Sequence, residues 1–231
     1  MVTRMKVRAQ LHHTRLDGRE WRVLRPSPSL DTAVLYENDL RPQMYVDRRA
    51  AYQIGVLWLL AARSRHTVIH LPLRSGRVPV EVPYGGRPVD LVLSQHTTQL
   101  RLSRWPKLRA ALGPATPHTV RLAADDRQRL ERLGWPTREE RPHWPTRDRL
   151  HDRVHADTLF LTGSAPVFRY TAEYFFDLAF NAPGSAPGEE SPHHKCSELH
   201  WSSGLLVNME RLHVQYRAHW LPHAGRVSAQ D

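Results

Sequence analysis

The chain has 231 residues, 40% hydrophobic and 24% charged, which excludes a disordered chain and leaves enough length for a core without covalent staples. Thirty-three basic residues face 23 acidic ones, for a formal charge of +10 and a pI near 10.4, so an electropositive surface and a polyanionic partner are expected. The single cysteine, Cys196, excludes an intramolecular disulfide and fits a reducing, cytoplasmic compartment.

Lysine occurs only at Lys6, Lys107 and Lys195, and the remaining base is arginine. A GC-rich coding bias explains that choice of residue, though not the excess of base over acid. The basic start, Met1 to Arg8, runs into no apolar stretch, so no signal peptide is expected. The most apolar run, Tyr52 to Ala62, falls well short of the roughly twenty residues that a membrane span needs. No membrane partner is expected.

In chain order, Trp21 to Leu24 reads as a strand stopped by Arg25-Pro26-Ser27-Pro28, and Asp31 to Tyr36 as another. The stretch from Ala50 to Arg65 predicts a helix with Asp47 as its N-cap. Ala51, Ile54, Val56, Leu57, Trp58, Leu60 and Ala61 make it apolar nearly all round, the mark of a buried helix. Four short runs follow, at 67–73, 78–82, 89–94 and 99–103, separated by turn residues. Connections that short predict antiparallel neighbours.

Short helices are predicted over 105–112 and 125–133. The sequence Trp-Pro-Thr-Arg occurs at 135–138 and again at 144–147, in a proline-punctuated connection. A helix over 146–155, a strand over 159–162, and a helix over 171–180 come next. Cys196 to Trp201 and Leu205 to Tyr216 are strand-compatible. The fold class is therefore α+β: one domain over 1–231 in which a buried helix packs on an antiparallel β-meander. Further short helices and strands fill the C-terminal half. The sequence allows a weak subdivision near 113–146, and it predicts a mobile loop over 182–192 and a frayed tail over 223–231.

Fifteen histidines prompt a search for metal-ligand spacing. His151-Asp152-Arg153-Val154-His155 places histidines at i and i+4, which on a helix can grip one ion. The spacing resembles the His-Glu-x-x-His pattern of zinc-dependent metallopeptidases, with Asp152 in place of the glutamate. That resemblance implies a zinc site to which Glu173 could add a ligand and which Asp177 could support. The segment from His193 to Trp201 is denser: on a strand, His194, Cys196, Glu198 and His200 share one face. These are ligand types suited to zinc or iron, with His213, His151 or His155 completing a site.

For a polyanion, Arg101, Arg104, Lys107 and Arg109 surround Trp105, and Arg127, Arg129, Arg132 and Arg138 add charge beyond it. Arginines interleaved with tryptophan can engage phosphates and stack on bases. The leading expectation is a basic binding protein whose partner is polyanionic, most simply nucleic acid. The alternatives are a metal-dependent hydrolase or oxygenase using the His/Cys/Glu cluster, and an accessory protein without chemistry of its own.

Overall fold

The alternating run VRAQLHHTRL forms strand β1 (Val7–Leu16), and Asp17-Gly18 returns it as β2 (Arg19–Pro26). Both turn residues have positive φ, 51° and 76°, the geometry that an Asp-Gly hairpin turn provides. Strands β3 (Ala33–Glu37) and β4 (Gln43–Val46) pair antiparallel and lead into α1 (Arg48–Arg63). The Asp47 carboxylate accepts the Ala50 N–H at 2.7 Å, so the expected cap starts this helix.

The chain continues through β5 (Thr67–Leu71), the two-residue β6 (Arg87–Pro88) and β7 (Asp90–Gln95). Next come α2 (Trp105–Ala110), β8 (Ala115–Val120) and α3 (Ala124–Arg132). The rest is β9 (His151–His155), β10 (Thr158–Gly163), α4 (Ala165–Asn181), β11 (Cys196–His200) and β12 (Arg211–Tyr216). This computed structural model describes residues 6–82, 85–132, 148–181 and 195–222, without the side chains of Arg127, Arg129, Glu131 and Arg132. The expected loop at 182–192, the tail at 223–231 and the paired Trp-Pro-Thr-Arg segments lie outside the described residues.

Two mixed sheets result. One has seven strands in the order β8-β1-β2-β5-β7-β10-β9, the other five in the order β11-β12-β4-β3-β6. Three neighbours are parallel: β2 with β5, β7 with β10, and β4 with β12. A single hydrophobic cluster joins the inward residues of both sheets, among them Leu24, Met44, Ile69, Leu161 and Val214, to α1 and α4. Trp58 of α1 is completely buried against Phe168 and Phe175 of α4, and its Nε1–H donates to Thr171 Oγ1 at 2.8 Å. Gly163 closes β10 onto the first turn of α4. A Cβ there would stand 2.6 Å from Val167 Cγ1 and 2.9 Å from Leu150 Cδ2.

The α+β class, the buried helix and its packing on antiparallel β5 and β7 match the sequence expectation. The meander is narrower than expected, because only two of its four runs become neighbours in that sheet. Residues 78–82 contribute one bridge, Pro79 to Trp220, and residues 99–103 coil through a left-handed Gln99 into a short 3-10 turn. The helix expected over 146–155 is instead strand β9, antiparallel to β10. Among the described residues, no helix is long and apolar enough to cross a membrane.

Candidate functional site

Arg8, Arg15 and Arg22 of the β1–β2 hairpin are exposed. Along one face of β1, Val7 and Ala9 enter the core, and the same face then turns polar at His13 and Arg15. Cross-strand pairing sets His13 opposite Arg22, Arg15 opposite Glu20, and Leu16 opposite Arg19. Trp21 points the other way, into a small cluster with Val23, Val68, Val92, Trp105 and Phe160. The Arg19 guanidinium lies 4.2 Å above the Trp21 ring and donates to the Thr98 carbonyl at 2.7 Å. Stacking and hydrogen bond together hold that cation in place.

Two open clefts adjoin along this line. His13, Arg15, Glu20, Arg22 and His66 line the first, of about 500 Å³. Gln99, Leu100, Arg101 and Arg104 line the second, of about 550 Å³. Arg19 and Trp21 belong to both. Arg104 pairs with Asp17 at 3.4 Å. Among the described residues, no carboxylate lies within ion-pair distance of Arg15, Arg22 or Arg101. Some arginines elsewhere are matched, as Arg41 is to Glu210, Arg87 to Glu37, and Arg211 to Glu198. Arg15, Arg22 and Arg101 therefore bring positive charge to the walls of these clefts, with Glu20 the carboxylate among them.

Of the polyanion-binding residues expected from the sequence, Arg101 and Arg104 line this site. Trp105 does not: it is fully buried, donates through Nε1 to Thr158 Oγ1 at 3.0 Å, and has no face for a base to stack on. Its helix needed an apolar anchor on the sheet, and Trp105 supplies it. Lys107 is exposed on α2, and Arg109 turns inward to within 3.6 Å of Asp90. The side chains of Arg127, Arg129 and Arg132, and all of Arg138, lie outside the described residues. Sequence reading missed Arg15, Arg19 and Arg22, although Asp17-Gly18 between two alternating runs was a hairpin signal that would have gathered them.

Beneath α2 a charged network is buried against the sheet. Arg25 Nε donates to His70 Nδ1 at 2.9 Å, which leaves His70 Nε2 as the protonated nitrogen, donating to Asp90 Oδ2 at 3.2 Å. The Arg74 guanidinium reaches the same carboxylate at 3.2 Å. Burial, the largest influence, lowers the His70 pKa against the opposing bond to Asp90. Burial acts to raise the Asp90 carboxyl, yet the bond and charge of His70, with the Arg74 N–H and guanidinium, outweigh it and hold it below the usual range. Both imidazole nitrogens are occupied, so His70 has no lone pair free for general base chemistry. The network anchors α2 to the sheet.

The first pair of expected metal ligands stands apart. His151 and His155 stand on the same face of strand β9, where four residues of rise separate them by roughly 13 Å. They cannot share one ion, and the likeness to the helical metallopeptidase pattern fails at that point. Asp152 points opposite, is completely buried, and accepts N–H groups from Val207 (2.8 Å), Asn208 (3.0 Å) and Met209 (2.7 Å). It staples a loop and cannot activate a water. Glu173 and Asp177 are buried on α4, where Asp177 accepts from Ser197 Oγ at 3.4 Å.

Cys196, Glu198 and His200 do share one face of β11. Glu198 accepts from Arg211 at 3.2 Å and lies 3.9 Å from His213 Nε2, while His200 Nδ1 accepts the Ser202 N–H at 3.0 Å. His194 lies outside the described residues. Among the described residues, no three His, Cys, Asp or Glu side chains converge closely enough to hold a metal ion. His151 meets a residue the sequence did not single out, His96, with ring centroids 5.3 Å apart. No protein-family model, curated protein or solved structure matches this chain.

Proposed function

We propose that this chain binds a polyanion, most simply nucleic acid, along the β1–β2 hairpin. One observation carries the reading: two adjoining clefts share Arg19 and Trp21 and are lined by Arg15, Arg22, Arg101 and Arg104. Guanidinium groups bind phosphate oxygens bidentately, and they hold charge at any physiological pH. The stacked Arg19 lies between the two clefts, so a phosphate chain following both would pass over a cation already held in position. Because Trp21 and Trp105 are buried, contact would be through phosphates and guanidinium planes, which fix position without reading sequence.

The test is fluorescence anisotropy with a labelled single-stranded oligonucleotide and a duplex of equal length, over a salt series. If three to five phosphates are engaged, log K falls against log salt with a slope of about −2 to −4. Replacing Arg15, Arg22 and Arg101 together with alanine should flatten that slope by about two to three, one unit per lost phosphate contact. Absent binding, or a slope unchanged in the triple variant, would refute the assignment.

A further inference from the structure

We propose that His96 and His151 form a binding site for a late first-row divalent cation such as zinc. The topology brings the two together. Strand β7 runs parallel to β10, so their C-terminal ends emerge side by side, and His96 is the first residue beyond β7. Strand β9 runs antiparallel to β10 and sets its first residue, His151, opposite Thr162 at that same end. Both side chains are exposed, so an ion has direct access and water can fill the remaining coordination positions.

The ring geometry suits the ion. Zinc holds imidazole nitrogens at roughly 2.0–2.1 Å in a tetrahedral arrangement, which places two ligating ring centroids roughly 5 Å apart. The observed separation is 5.3 Å, with the ring planes at 80°. Simple edge-to-face contact spans a wider range that includes this distance, so the surrounding charge matters. The Asp148 carboxylate lies near enough to act on His96. Asp148 accepts a hydrogen bond from Ser164 Oγ and so stays beside the pair, where its negative charge favours a cation.

The assay is titration of tag-free protein with zinc against a chromophoric competitor at pH 7.5. The His96→Ala and His151→Ala variants and the double variant are compared with His118→Ala, a change at an exposed histidine on β8 away from the pair. The tightest site should weaken by at least about tenfold in each single variant, since even second-sphere changes at zinc sites cost that much, and His118→Ala should leave it unchanged. Wild-type affinity in the double variant would overturn the proposal and reduce the pair to an edge-to-face ring contact.

Discussion

Replacing Asp152 with alanine should destabilise the protein severely. The carboxylate is completely buried and receives three backbone N–H groups from residues 207–209, two on Oδ1 and one on Oδ2. It also anchors the loop from a distance of more than fifty residues, beside the bridge between Leu150 and Leu206. Hydrogen bonds to a charged acceptor contribute about 1.5–3 kcal/mol each, and a buried donor left alone costs about 1–3 kcal/mol. Met209 is buried and its N–H would be stranded, while Val207 and Asn208 are more exposed and can regain water. With the Met209 bond counted in full and the two re-solvated ones only in part, the loss comes to about 3–5 kcal/mol. With a urea dependence of about 3 kcal/mol per molar, the midpoint should fall by about 1–1.7 M. Asp152→Asn can keep the two bonds on Oδ1 and should lie between wild type and alanine. A midpoint shift under about 0.3 M for Asp152→Ala would show that these three bonds do not hold the loop.

The depressed pKa of His70 gives a signed pH dependence: the unfolded chain takes up the proton near pH 6.5 while the folded one resists it, so this contribution to stability is complete above that pH and declines below it. His70→Gln should flatten the loss of stability between pH 7 and 5, measured by urea melts, and an unchanged slope would contradict the assignment. Gly55→Ala in α1 would gain about 1 kcal/mol of helix propensity. Its new Cβ would sit 3.0 Å from two Phe176 ring atoms, an overpacking cost of about 1–3 kcal/mol. A net loss of up to about 2 kcal/mol is expected on thermal melting, and a more stable variant would refute that packing. Trp58→Phe removes the donor to Thr171 Oγ1 and opens a gap beside Phe175. A loss of about 2–4 kcal/mol is expected from calorimetry.

The helix α1 was legible because three independent signals coincide in it: a capping Asp47, a surface apolar nearly all round and a long run free of proline. The meander was over-read because β-branched content at 78–82 outweighed Pro79, which has no N–H to give a ladder. In β9 the pair at 151 and 155 suggested a helix, although the burial pattern alternates with period two: Asp152 is buried, while His151, Arg153 and His155 are exposed. Two of the site's five arginines, Arg101 and Arg104, were readable near Trp105. The rest depended on recognising the Asp17-Gly18 hairpin. The His96–His151 encounter had no local signature, because it arises from a parallel pairing between strands more than sixty residues apart. Parallel partners in general leave no turn residue between them to announce the match.

The five-stranded sheet has a consequence for synthesis. Strand β4 finds its parallel partner in β12, so that Gln43 waits for His213. At about 5–20 residues per second, the ribosome needs roughly ten to thirty seconds to deliver that partner. Meanwhile one edge of β4 lies unpaired, and the apolar surface that α1 presents to α4 lies uncovered. A nascent chain in that condition keeps apolar surface in water, and its native core closes only after nearly all of the described chain has been made.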